Sequence, residues 1–149
     1  MTMAKDFKRG DDYRLYLNTG SWASPTYVWL KSAVDLAVDE APTDIAVEET
    51  GMSTGHLQGY GDPSITCTLN ENRGDTNVAT LLTAMRAGTM KEIALCNGPI
   101  ATAGTNIYRL EAIATGFPLS ASKGSVASWG VDFKRHANSD NDLTHSVAS

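Results

Sequence analysis

The chain has 149 residues, 42% hydrophobic and 19% charged, enough for one globular core and too polar for a membrane-embedded protein. A net charge of −5 argues against gripping nucleic acid by neutralising its phosphates, though not against letting nucleic acid pass without sticking. No apolar run approaches the ~18 residues of a membrane span, and the basic start MTMAKDFKRG leads into no apolar secretion-signal core.

Period-two patterning dominates the chain. Tyr13, Leu15 and Leu17 alternate with Arg14, Tyr16 and Asn18 in a first strand that Thr19-Gly20 breaks, and Val28-Trp29-Leu30 resumes after Pro25. Val34, Leu36 and Val38 then oppose Asp35, Ala37 and Asp39. Beyond the Glu40-Ala41-Pro42 corner, Ile45 and Val47 oppose Asp44, Ala46 and Glu48. In SITCTLN, Ile65, Cys67 and Leu69 form one face. These are half-buried antiparallel strands. One helix interrupts them, over about residues 76–87: Asp75 or Thr76 can cap it, Val78, Leu81, Leu82 and Met85 form its apolar stripe, and Gly88 ends it. Strands return in KEIALCN, NIYRLEAIATGF and SVASWGVDFKR, the last with Ala127, Trp129, Val131 and Phe133 on one face. The fold class is therefore mainly β, an antiparallel sandwich or barrel with one docked helix. Residues 11–135 read as a single β-domain, and the polar tail 136–149 is expected to be mobile.

Cys67 and Cys96 could form one disulfide, but the alternation of Cys67 with Ile65 and Leu69 favours a buried free thiol. With His56, His136 and His145 scattered, no metal-ligand spacing arises, and no cofactor is expected.

Two motifs suggest catalysis. Gly51-Met52-Ser53-Thr54-Gly55 matches the G-x-S-x-G nucleophile elbow, with Asp132 and His136 downstream completing the residue types of a triad. An elbow needs a helix straight after the serine, and His56-Leu57-Gln58-Gly59-Tyr60-Gly61-Asp62-Pro63 forbids one. Ser120-x-x-Lys123 and Ser139-Asp140-Asn141 match penicillin-binding elements, but the first lies in a short turn between Pro118 and Gly124, and no KTG follows. The glycines at 51, 55, 59 and 61 meet no G-K-[ST] and no helix N-terminus, so they do not cradle phosphate. The chain reads as a non-enzyme.

Residues 48–62 form a long loop flanked by two well-patterned strands, and loops longer than about 12–15 residues are uncommon unless functional or disordered. Met52, Leu57 and Tyr60 are apolar groups that a lone domain would leave exposed, as in an arm that orders against a partner; a floppy excursion is the bland alternative.

The order of these features resembles the tail tube proteins of long-tailed bacteriophages, related in fold to the tube proteins of type VI secretion and contractile injection systems. The residues that carry it are a short N-terminal arm (1–10) before Tyr13-Arg14-Leu15-Tyr16-Leu17-Asn18, the aromatic strand Tyr27-Val28-Trp29-Leu30, and the step Val34-Asp35-Leu36. After the Gly/Ser/Thr loop come the helix around Leu81-Leu82-Thr83-Ala84-Met85-Arg86-Ala87-Gly88, Ile113-Ala114-Thr115-Gly116-Phe117, a Pro-Leu-Ser corner, and Val126 to Phe133. The resemblance spans roughly residues 5–135. It implies a structural virion protein whose hexameric rings stack into a tail tube, the conduit for genome delivery, assembled in the host bacterial cytoplasm. It also implies that the loop, with Glu49, Gly51, Met52, Ser53, Gly55, Leu57, Gly59, Tyr60 and Gly61, packs against the adjacent ring. Implied partners are further copies of the chain, with sheath, tape-measure and tail-terminator proteins; DNA passes through without specific binding, and no membrane is involved.

Within that reading, Asp35, Asp39, Asp44 and Glu48 are expected at the lumen or its rim, where an acidic wall repels DNA; solvated carboxylates on an outer sheet face are the plain alternative. A competing class is an adhesin-like carbohydrate- or partner-binding sandwich in which Trp22, Trp29 or Tyr60 stacks on a ligand. A type VI or gene-transfer-agent tube fits the same residues as a phage tail.

Overall fold

A computed structural model describes residues 12–48, 50–59, 61–72 and 74–149. The expected arm at 1–10, and the loop candidates Glu49 and Tyr60, lie outside the described residues. The alternating segments become β1 (Arg14–Asn18), β2 (Tyr27–Trp29), β3 (Ala33–Asp39), β4 (Thr43–Val47), β5 (Gly55–Gly59) and β6 (Ser64–Asn70). Helix α1 (Thr76–Ala87) follows, then β7 (Lys91–Cys96), β8 (Asn106–Gly116), β9 (Leu119–Ser120), β10 (Ser128–Arg135) and β11 (Thr144–Val147).

Nine strands make one antiparallel sheet in the order β2-β1-β7-β8-β10-β6-β3, with β11 on β8 and β9 on β10; β4 and β5 form a separate hairpin. The sheet curls so that β3 returns beside β1, and Leu30 N donates to Leu15 O at 2.8 Å. It is mainly β and antiparallel with one helix, as expected, and the sheet does not close into a barrel. The concave face is the core. Leu15, Leu17, Ile93, Leu95, Leu110, Trp129, Val131, Phe133, Ile65, Cys67 and Leu69 converge there on Val78, Leu81, Leu82 and Met85 of α1. Burying each large side chain of this kind contributes roughly 1.5–3 kcal/mol, so the helix plugs the curl and holds it.

The helix ends follow from local chemistry. Asp75 accepts from Asn77 N and Val78 N at 3.0 and 3.3 Å, and also from Ser32 Oγ at 3.2 Å, tying the helix start to the β2–β3 turn. Gly88 adopts φ 69°, the left-handed cap that glycine takes without steric cost.

Three departures from the sequence pattern have physical causes. A bulge between Val34 and Ala37 places Asp35, at φ 53°, and Leu36 opposite the Thr66–Thr68 stretch. It turns Val34 outward, 40% exposed, while Leu36 and Val38 still pack on the core. Within the expected 48–62 loop, Gly55–Gly59 pairs with β4. The tail is docked: β11 takes the side of β8 that β10 leaves open, pairing Thr144 with Arg109 and Val147 with Asn106. Polarity does not leave this tail undocked, because its polar groups find partners. Ser139 Oγ donates to Glu111 Oε1 at 3.3 Å, the Asn141 amide also donates to Glu111, and Arg135 donates to the Ser139 and Asn141 carbonyls.

Cys67 and Cys96 are both buried and free. Burial pushes both thiols up to about 12. Below the ordinary thiol pKa of about 8.5 they are neutral in folded and unfolded chains alike; as pH rises toward 12 the unfolded chain ionises first and stability falls. At pH 8 an aromatic disulfide reagent should label neither thiol until guanidinium unfolds the chain. Stoichiometric labelling of the native protein within minutes would refute this.

Candidate assembly surfaces

The β4–β5 hairpin is two-faced. Ile45 lies directly opposite Leu57, and Ala46 opposite His56. Strand alternation therefore puts Ile45, Val47 and Leu57 on one side, Asp44, Ala46, His56 and Gln58 on the other. On the polar side, His56 Nδ1 lies 2.9 Å from Asp44 Oδ1. Among the described residues the apolar side is uncovered: Ile45 is 47% exposed, Leu57 60%, and Met52 at the tip 71%. Val47, Met52 and Leu57 line a hollow there of about 390 Å³. Gly51, at φ 79°, allows the tip to turn. At the root, Gly61 presses on Ala41, and Asp62 N donates to Ala41 O at 3.2 Å. Asp62 is also held by Lys134 Nζ at 2.7 Å.

The convex side of the sheet divides in two. Over β3, β6 and β10 it is small and polar, carrying Asp39, Ser64, Thr66, Thr68, Gly130, Asp132 and Lys134 by register. The Lys134 pKa is raised, first by its bond to Asp62 and that charge, then by Asp132 and Asp39. Over β2, β1, β7 and β8 a second cluster is covered: Tyr16, Ala94 and Cys96 pack with Tyr27, Ile100 and Ile107. Glu92 lies buried among four donor groups here. Arg109 Nε and Nη2 reach its two oxygens at 2.5 and 3.1 Å, Tyr27 Oη donates at 2.6 Å, and the Asn18 amide donates too. Arg109 also donates to Trp22 O at 2.6 Å and lies 4.0 Å from the Trp22 ring, which ties down the 19–26 loop. Burial, then the Glu92 bond and charge, holds the Tyr27 phenol well above its usual range; Arg109 is raised by its own hydrogen bonds to Glu92.

A third surface is a groove of about 440 Å³ lined by Tyr13, Trp29, Lys31, Val34, Asp35 and Leu36. Arg14 lies 4.0 Å and Lys31 5.3 Å from the Trp29 ring, as cation–π pairs.

The structure gathers Gly51, Met52, Ser53, Gly55, Leu57 and Gly59 onto one hairpin, with Gly61 at its root. The four acidic candidates are all exposed but not convergent: Asp35 in the bulge, Asp39 at the end of β3, Asp44 and Glu48 along the hairpin. Asp39 Oδ1 accepts from Ala41 N at 2.9 Å, so it also shapes the corner. Ser53 runs on into a strand, not a helix, and Ser120 lies in β9. Both aromatic candidates described for a sugar platform, Trp22 and Trp29, already carry an arginine over the ring.

Sequence matches are lacking: no family model and no curated protein matches the chain. The structure does match others. A chain from the tail of the empty gene transfer agent particle, of C6 symmetry, superposes with TM-score 0.69 at 15% identity, covering 96% of this chain and 100% of that one. The SPP1 tail tube gives 0.66 at 12% identity over 85% of this chain and 74% of that one. This chain has the tail tube fold. A chain of the six-fold symmetrised anti-feeding prophage baseplate is similar too, with TM-score 0.55 at 9% identity over 98% of this chain and 97% of that one. The hairpin, the polar convex face and the aromatic groove are three solvent-facing surfaces of this fold among the described residues. The sequence marked the hairpin's apolar residues but read its second strand as loop; it gave no sign of the groove, and the one signal of the Glu92 cluster was a lone carboxylate in the apolar run EIALC.

Proposed function

We propose that this chain is a structural tail protein whose copies close into hexameric rings that stack as a tube, through which a genome passes into a host cell. The observation that carries it is the β4–β5 hairpin, which holds Ile45, Met52 and Leu57 out in solvent on a chain with the tail tube fold. Three exposed apolar groups on one projecting face favour burial against a partner. The supply of identical partners is supported by the six-fold symmetry of the similar assemblies. The strands at the two ends of the sheet path among the described residues, β2 and β3, are completed when a head-to-tail contact closes by rotation. Assembly in the host cytoplasm, with sheath, tape-measure and terminator proteins as further partners, follows from the same reading. Negative-stain microscopy and sedimentation of the purified chain over a concentration series should show annuli or filaments. A lone subunit at every concentration ends this proposal.

The small polar face over β3, β6 and β10 is the wall we assign to the lumen, with Asp35 and Asp39 on it and Asp44 and Glu48 at its rim. Duplex DNA carries about one negative charge per 1.7 Å, so an acidic wall keeps it from adhering. In D35N/D39N tubes, which preserve the side-chain shape at the bulge and the corner, DNA should exit measurably more slowly. Unchanged release kinetics would place these carboxylates elsewhere.

A further inference from the structure

Peroxides oxidise sulfur where they can reach it, and this fold shields its sulfur atoms unevenly. Cys67 and Cys96 lie inside at 4% and 0% exposure, and burial keeps both thiols protonated. Met85 belongs to the core beneath the helix, and Met90 is half-buried. Met52 is the exception among the described residues. At 71% it is the most exposed of their large hydrophobic side chains, and it stands at the tip of the β4–β5 hairpin. We propose that Met52 is an oxidation site through which a peroxide switches self-assembly off. The inference rests on the tube reading above and adds a chemical control which that reading does not contain.

The step is a two-electron transfer. A lone pair on the Met52 sulfur attacks one oxygen of hydrogen peroxide, and the O–O bond breaks as the S–O bond forms. The attacked oxygen gives its proton to the departing hydroxide, which leaves as water. Sulfur is oxidised to the sulfoxide and the peroxide is reduced. The product has a different surface chemistry from the thioether, because a flexible apolar group now ends in a strongly polar acceptor. Its position makes that change matter. Met52 shares a hollow of about 390 Å³ with Val47 and Leu57, on the hairpin side whose apolar groups favour burial. A polar oxygen taken out of water without a donor opposes the burial that the thioether favours. The subunit itself is indifferent, since Met52 belongs to neither core cluster. Sulfoxides are also reducible enzymatically, so the same site can be switched back.

The test treats dispersed subunits with dilute hydrogen peroxide and follows both the chemistry and the assembly. Cleavage by trypsin releases residues 32–73, which contain Met52 and no other methionine, so a gain of one oxygen in that peptide reports this sulfur alone. It should appear before any gain at Met85 or Met90. The critical concentration of the oxidised subunits should rise about tenfold or more, with the thermal transition unmoved. Treatment with a methionine sulfoxide reductase should restore it. M52L, which keeps the size and apolarity of the side chain, should assemble like wild type before and after peroxide. M52Q, polar and untreated, should reproduce the loss. Subunits oxidised at Met52 that still assemble at the wild-type concentration overturn the inference and leave the tube reading standing. An equal peroxide loss in M52L does the same, because the sensitive group is then another residue. A wild-type chain that never assembles removes the tube reading, and the switch with it.

Discussion

Replacing Ile45 and Leu57 together with threonine should raise the concentration needed for tube formation by about a hundredfold or more. Threonine is β-branched, as Ile45 is and Leu57 is not, and suits a strand, so the hairpin itself persists. Lost is the burial of two large apolar side chains at a contact, worth at least ~3 kcal/mol together, and each 1.4 kcal/mol is a factor of ten. The subunit should hardly notice. Both residues are exposed and neither belongs to the core, so the change in stability stays within about 0.5 kcal/mol per site. Sedimentation of I45T/L57T beside wild type measures the first effect and a thermal melt the second. Tubes at unchanged concentration would show that this face meets nothing in the assembly.

The second large effect is on stability. Glu92→Ala removes the acceptor that Arg109, Tyr27 and Asn18 share. Breaking a buried pair by deleting one partner costs about 3–5 kcal/mol, because the other charge is left unpaired. For a domain of this size that lowers the melting midpoint by roughly 10 °C or more. The 19–26 loop should loosen with it, since Arg109 is what Trp22 rests on. Replacing both partners with apolar residues, E92L/R109M, should cost less than E92A alone, as no buried charge is then stranded. A midpoint for E92A within 2 °C of wild type would mean that water, not Glu92, satisfies the guanidinium.

How much of this was legible in the sequence depended on what each residue answers to. Where one face is buried and the other wet, period two reported it: Ile65, Cys67 and Leu69 are inside, as are Trp129, Val131 and Phe133. The helix was legible end to end because its signals are local, an aspartate that caps and a glycine that stops. Strand β1 was half legible. Leu15 and Leu17 were expected inside, but Tyr16 and Asn18 are buried on the other face as well, under loops that no local pattern announces. β11 and β5 escaped because their stability comes from a partner strand rather than from an apolar face; Thr144 to Val147 are exposed throughout. Val34 escaped because a bulge shifts the alternation without changing composition. The hairpin's apolar groups were readable as residues without a home. The groove was not, since it joins Tyr13, Trp29 and Val34 from three separate strands or strand entries.

The root of the hairpin is a mechanical joint. A methyl group added to Gly61 would stand 1.7 Å from Ala41 O, inside the backbone itself. That junction is a fulcrum made of main chain alone. Five residues of β5 reach about 17 Å beyond it, so a tilt of roughly 10° swings the tip by about 3 Å, close to the width of an atom. The aim of the lever is thus set by backbone touching backbone, and side chains farther out can vary without spoiling the shot.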